Sequence, residues 1–267
     1  MEEASLDYLD MPKGMQTFAM PELPAPEETA GLDAALATLR WLCKATAEYA
    51  SGGDNQRIAL GSLDAANRKL LDQILGEGEV SATIAGEAPV TIQEAVFAGV
   101  WRVRLCGSAG EVVRDLVEVG AVPACVIEAS QAGSRPQVAT VEPPPGVMSA
   151  PPIVAEVGER AAVWQTGDTT HIINLTLLPL SGEDGRHLAA VFAPGPVVIL
   201  SRGYGNCRIT STVLRNAWWV QYFNNMDRTL LSSIEITRVP EAAVAAREDV
   251  ADSGQRLGEV LDWLESG

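Results

Sequence analysis

A chain of 267 residues that sets 35 acidic against 19 basic side chains carries a formal net charge of −16, which excludes the phosphate contacts of nucleic-acid binding and adhesion to an anionic membrane. Cys43, Cys106, Cys125 and Cys207 form no CxxC pair, and His171 and His187 are the only histidines, so the composition offers no zinc set and no cofactor motif. The acidic opening MEEASLDYLD has no apolar leader core and no uncharged apolar run reaches membrane-spanning length, so a cytoplasmic protein without membrane insertion is expected.

Residues 1–28 carry seven carboxylates, four prolines and four methionines. Such a segment has too few apolar groups to fold alone, and it is expected to be an extended arm that either lies on its own protein or orders on a partner. Leu32, Leu36, Leu39 and Cys43 then recur at helical spacing up to Ser51-Gly52-Gly53, an amphipathic helix with a glycine stop. Arg57–Leu63 reads as a short strand. Asp64 caps a helix whose Leu70, Leu71, Ile74 and Leu75 face inward, and Gly76 and Gly78 end it. Residues 79–85 alternate towards a turn at Gly86–Pro89, and Val90–Leu105 predicts one long strand of about 50 Å with a bulge or bend at Gly99. After a turn at Cys106–Gly110, Val112–Val119 returns as a further strand. Residues 131–152 hold six prolines and two glycines, a density that suits a semi-extended linker. Beyond it come a helix at Ile153–Trp164, a strand at Ile172–Leu180, a short helix containing Leu188–Phe192, and a helical pattern over Glu241–Leu264 with Gly254 as its weak point.

The chain is written twice. Residues 58–123 lie over 175–240 without a gap, pairing Leu60 with Leu177, Gly78 with Gly195, Gly86 with Gly203, Trp101 with Trp218, Glu118 with Glu235 and Pro123 with Pro240. About 12 of the 66 positions are identical, and most others that agree are apolar, as a shared core with divergent surfaces requires. The fold class expected is therefore α+β with internal duplication: two similar domains, each helix-strand-helix followed by an antiparallel three-strand meander. The domain boundaries that follow are an arm at 1–28, a first repeat at 29–130, a linker at 131–152, and a second repeat at 153–267 that includes the C-terminal helix.

Where the copies disagree, something besides the fold is being selected. Ala85-Gly86-Glu87-Ala88-Pro89-Val90 of the first copy becomes Arg202-Gly203-Tyr204-Gly205-Asn206-Cys207 in the second, followed by Arg208. Two arginines, a tyrosine, an amide and a thiol on a turn with two glycines suit recognition of another chain, and they also suit a β-turn whose arginines pair with local carboxylates. The next turn changes from Cys106-Gly107-Ser108-Ala109-Gly110 to Phe223-Asn224-Asn225-Met226-Asp227, in which Asn224 and Asp227 are good turn formers in their own right. Trp218 and Trp219 point to opposite faces of a strand, so one of them is expected outside the core, beside the arginines. Cys207, next to Arg208 and near Arg202, is either an activated thiol or a small packed side chain, and neither histidine has a sequence reason to serve as its base.

The block SRGYGNCRITSTVLRNAWWVQYFNNMD, Ser201–Asp227, resembles the C-terminal signature of the HupH/HyaF family of nickel-iron hydrogenase expression and formation proteins, supported by NLTLLPL at Asn174–Leu180, by Ile234–Pro240, by DYLDMPKGMQTF near the amino terminus, and by GEVSATI and FAGVWRV in the first copy. The chain departs from the family in a weaker helix after the linker and in a longer Pro-rich linker. The resemblance implies a cytoplasmic accessory protein, not an enzyme, that assists maturation of an uptake hydrogenase. It implies as partner the precursor of the small, iron-sulfur subunit, held back with a twin-arginine export signal until its clusters are complete, together with other maturation factors. On that reading Arg202, Tyr204, Asn206, Cys207, Arg208, Trp219, Asn224 and Asp227 form the partner-binding set, with no catalytic residue and no metal. The alternative is a thiol- or iron-sulfur-handling factor that works through Cys207.

Overall fold

The computed structural model describes residues 25–203 and 205–266. Nearly all of the predicted arm lies outside them, and only a 3-10 turn, Pro26–Thr29, belongs to the described part. In chain order the elements are α1 (Asp33–Ala50), β1 (Gln56–Ala59), α2 (Ala65–Leu75), β2 (Val80–Ile84), β3 (Val90–Glu94), β4 (Val100–Cys106), β5 (Val112–Val119), α3 (Ala124–Gln131), α4 (Ala150–Val163), β6 (His171–Asn174), α5 (Gly182–Val191), β7 (Pro194–Ser201), β8 (Asn206–Thr212), β9 (Ala217–Phe223), β10 (Thr229–Ile236) and α6 (Arg247–Glu265). They form two compact units divided at Val126/Ile127, with residues 243 onward returning to the first.

In the first unit the strands run β1-β5-β4-β3-β2, each neighbour antiparallel. In the second they run β6-β10-β9-β8-β7, again antiparallel throughout. The α+β class expected from the sequence holds in both units. Element bounds match at the repeat offset, β4 against β9 and β5 against β10 residue for residue. Backbone detail matches too: Gly99 (φ 76) stands over Asn216 (φ 61), and Gly110 (φ 83) over Asp227 (φ 56). Asn and Asp are the non-glycine residues that most readily accept this left-handed conformation.

The single long strand expected at Val90–Leu105 is instead two, so each meander has four strands. Ala95 and Phe97 are buried and turn into the helical core, and Gly99, at positive φ, reverses the chain. The turn residues are as apolar as the strands they join, which is why alternation did not reveal the break. A second correction concerns Leu175–Leu177, which is a 3-10 turn and not a continuation of the strand, its start held by the Asn174 side chain accepting from the Thr176 N–H.

The helices cover one face of each sheet. In the first unit α1, α2 and α6 close over Val100, Val117 and Val119 through Leu39, Leu42, Leu71, Ile74 and Leu257. Asp64 caps α2 by accepting from the Asn67 N–H at 2.8 Å. The C-terminal helix, expected with the second copy, belongs here. Arg247 lies over the Tyr49 ring at 4.4 Å, Arg40 pairs with Glu265, and Gly254 sits so close to α1 that a Cβ there would lie 2.7 Å from Thr46 Oγ1. Gly254 thus lets α6 approach α1 closely.

The linker is likewise more structured than expected. Arg135 bridges Leu214, Val138 packs against Gly158 of α4, and Pro151 and Pro152 fall inside the first turn of α4, where proline's missing N–H costs no hydrogen bond. The Asp184 carboxylate, itself in the capping box of α5 with Ser181, accepts from the N–H groups of Met148, Ser149 and Ala150 at 2.8–2.9 Å. The Ser181 hydroxyl first, then the backbone N–H groups of Ser181, Ala150 and Ser149, hold its pKa below the usual carboxylate range against the effect of burial.

Candidate docking surface

The β7–β8 and β9–β10 turns of the second unit emerge at the same end of its sheet, because Asn206 opposes Phe223 and Phe223 opposes Thr229. In the first turn Gly205 takes φ 102, its N–H meets the Arg202 carbonyl, and Arg202, Gly203 and Gly205 are all exposed. Tyr204 lies outside the described residues. In the second turn Asn224 Oδ1 accepts from the N–H groups of Met226 and Arg228 at 2.9 and 3.0 Å. Asn224 therefore builds the loop, and Asp227 supplies its positive-φ position. Sequence reasoning placed both in the partner-binding set; their geometry gives each a turn-forming duty.

Strand alternation sorts the remaining residues. Asn206 and Arg208 of β8 share a face with Trp219, Gln221 and Phe223 of β9, and the Arg208 guanidinium stands 5.5 Å from the Phe223 ring centroid, a cation–π contact. Trp219 is half-buried against the helical core while Trp218 is buried on the opposite face. The first unit shows what Trp219 replaced. At the matching position Arg102 is buried and donates bidentately to Asp115 at 2.5 and 2.6 Å and to Asp72 at 2.8 Å. In the second unit the pair is neutral, the Trp219 indole N–H donating to Ser232 Oγ at 2.9 Å.

Cys207 lies on the face away from Arg208, only 4% exposed and opposite Tyr222. Burial pushes its thiol up to about 11, against the opposing effect of a hydrogen bond with the Tyr222 hydroxyl. At neutral pH it is a protonated, enclosed side chain, which removes the chemical basis of an activated nucleophile. Among the described residues no three His, Cys, Asp or Glu side chains are placed to hold a metal ion.

Sequence reasoning missed part of this surface. Arg228 is exposed, and so are Met226 (76%), Leu230 (60%) and Leu177 (80%). Leu230 is the extra residue of a β-bulge, since the register shifts between Thr229 and Leu231, and such bulges re-aim a side chain out of the ladder. Leu177 is held next to β10 by the Ser232 N–H donating to Thr176 Oγ1 at 2.7 Å. Its counterpart Leu60 is fully buried. The signal that would have found Arg228 is charge. The first unit's two corresponding turns, 85–91 and 107–113, carry Glu87 and Glu111 and no cation, whereas 202–208 and 224–230 carry Arg202, Arg208 and Arg228 against Asp227 alone. Arg228 stands where Glu111 does. One scaffold thus presents opposite charge at its two equivalent ends; exposed apolar side chains stand at both, Val112 and Val113 at the acidic end, and at the basic end Met226 and Leu230 accompany the arginines. That combination is the composition of a protein-binding patch.

Comparison with known proteins agrees with the repeat. A family profile described as "HupH hydrogenase expression protein, C-terminal conserved region" matches residues 32–135 and again 147–264. Hydrogenase expression/formation protein HoxQ of Cupriavidus necator is 47% identical over 266 residues, covering 99% of this chain and 94% of that one. HupH of Rhodobacter capsulatus is 41% identical, covering 98% and 92%, and the hydrogenase-1 operon protein HyaF of Escherichia coli is 38% identical, covering 79% and 74%. A solved structure of hydrogenase expression protein HupH from Thiobacillus denitrificans aligns with 35% of this chain and 79% of that one at 30% identity and a TM-score of 0.33. The chain belongs to the HupH family of hydrogenase expression/formation proteins.

Proposed function

We propose that this protein is a non-catalytic accessory factor in the maturation of a nickel-iron uptake hydrogenase, acting in the cytoplasm by binding the immature small, iron-sulfur subunit before export. The relatives are named as hydrogenase expression/formation proteins, and the hydrogen-bonded, buried state of Cys207 favours docking over thiol chemistry. The observation that carries the reading is the charge inversion between equivalent sheet ends, which places Arg202, Arg208 and Arg228 beside exposed Met226 and Leu230 in a chain of net charge −16. Arginine forks donate to carboxylate or carbonyl oxygens, and the apolar side chains supply the area that a stable complex needs to bury. The acidity of the remaining surface raises the encounter rate with a basic export segment, an effect confined to about 8 Å in cellular salt.

The test is capture of the small-subunit precursor by the full chain and by Arg202→Ala, Tyr204→Ala, Arg208→Ala and Arg228→Ala variants. Loss of capture with unchanged thermal melting is expected. Undiminished capture by the combined variant removes this surface as the docking site. Cys207→Ser should capture as well as the parent, and a loss there would return the thiol-handling alternative.

A further inference from the structure

We infer that β6 is a strand-pairing site, and that its free edge takes an extended peptide in which apolar side chains alternate with lysine or arginine. The site runs along the outer edge of the second unit's sheet and does not rest on the reading given to the hairpin end. Among the described residues β6 has β10 as its one neighbouring strand. The Ser232 N–H donates to Thr176 Oγ1 at 2.7 Å and the Thr237 N–H to the Asn216 carbonyl at 2.8 Å, so from Ser232 onward the even-numbered residues of β10 address β6 and the odd-numbered ones address β9. Ile234 and Ile236 stand opposite Ile173 and His171, which are therefore the residues of β6 that bond to β10. The backbone N–H and C=O of Ile172 point the other way, out of the sheet edge.

Edge groups of this kind are a template for another strand, and charged side chains are the usual guard against it. The first unit has that guard: Arg57 of its edge strand β1, opposite Glu118, is exposed. At the matching position, opposite Glu235, the second unit puts Ile172, 57% exposed, and Leu177 and Leu178 are exposed just beyond the strand. Ile173 is buried against the helices, so alternation sends the Ile172 side chain to the opposite face. The helical side of the same edge is acidic. His171 Nε2 and Glu156 Oε1 of α4 lie 2.8 Å apart, which places Glu156 over β6, and Glu156, Glu159 and Asp168 are all exposed, against Arg160. An added strand satisfies both sides when its apolar residues fall beside Ile172 and its cations fall on the side of Glu156, and that is a period-two pattern. The net charge of −16 favours such a basic partner over a second copy of the chain.

The test titrates the full chain into a fluorescently labelled, end-capped peptide of alternating lysine and valine, followed by anisotropy. Saturable binding is expected, weakened about tenfold by Ile172→Arg, which restores the first unit's guard, and by Ile172→Pro, which removes the outward N–H. Ile172 is exposed, so thermal melting of the Ile172→Arg variant should match the parent. Glu156→Lys with Glu159→Lys should weaken binding and flatten its salt dependence. N-methylation of every second peptide amide separates strand pairing from charge attraction. Methylating one alternate set should abolish binding and methylating the other should leave it, because an added strand turns only one set towards β6. Absence of saturable binding, equal effects of the two methylated sets, or full affinity in both Ile172 variants overturns the inference. So does equally tight binding of a block peptide with all its lysines before all its valines. Arg202→Glu with Arg228→Glu should leave peptide affinity unchanged, and a loss there moves the peptide to the hairpin end and removes β6 as its site. Client capture lost in those arginine variants with peptide binding intact supports two separate surfaces.

Discussion

Glu94 offers a direct test of how burial controls stability in the first unit. The residue is 7% exposed, and burial first of all, with the nearby Glu79 and Asp249 adding to it, pushes its pKa from an ordinary 4.5 to about 7. The Gly99 N–H donates to it at 3.1 Å and limits the rise. Because the folded pKa is raised, the protonated form is the one the fold favours. Its stabilising contribution is complete below about pH 4.5 and is lost as pH climbs through 7. A shift of roughly 2.5 units at about 1.36 kcal/mol each makes the ionised site cost about 3 kcal/mol. Glu94→Gln keeps an oxygen acceptor for the Gly99 N–H but cannot ionise, so the variant should match the parent near pH 4 and exceed it by about 3 kcal/mol at pH 8. Urea unfolding followed by tryptophan fluorescence at several pH values reads the difference, and contributions common to both proteins cancel. Parallel stability curves for the two proteins across pH 4 to 8 would show that the site ionises without penalty and refute the reasoning.

Three further outcomes are expected. Gly78→Ala places a Cβ 2.2 Å from the Ala95 carbonyl oxygen, whereas Gly195→Ala meets the Ser211 hydroxyl at 2.6 Å and the Thr212 carbonyl oxygen at 3.0 Å; the former, with the tighter approach to backbone, should destabilise by about 3 kcal/mol and the latter by less, measured by melting temperature. Arg102→Ala leaves the buried Asp115 without its bidentate partner and should cost about 3–5 kcal/mol in chemical denaturation, and a cost under about 1 kcal/mol would mean that Arg104 or water replaces it. Iodoacetamide at pH 7.5 followed by peptide mass spectrometry should modify Cys43, Cys106 and Cys125, which are partly exposed, well before the buried Cys207; early labelling of Cys207 would reopen the thiol alternative.

Much of this molecule can be read without coordinates, because the duplicated apolar pattern is a statement about cores. Trp101 and Trp218 are both buried, and the cap at Asp64 recurs as Ser181, since caps and core positions obey local rules. The candidate site was legible only in part. Alternation on β8 and β9 correctly sends Trp218 and Trp219 to opposite faces, but nothing in the turn sequence says that Asn224 spends its side chain on its own backbone or that Cys207 is enclosed beside Tyr222. Those facts depend on which strand lies next to which.

What the sequence determined by itself is the repeated α+β pattern, the family, the acidity and the unusual turn at Arg202–Arg208, because each follows from periodicity, composition or local chemistry. Only the tertiary structure decided that α6 returns to the first unit, that the long strand folds back at Gly99, and that Arg202, Arg208, Arg228 and Leu230 lie toward one end of the second unit's sheet. The physical reason is that strand register and helix packing join residues far apart in the chain. Only that joining shows where charge of one sign collects, which side chains it leaves in water, and which it shuts away.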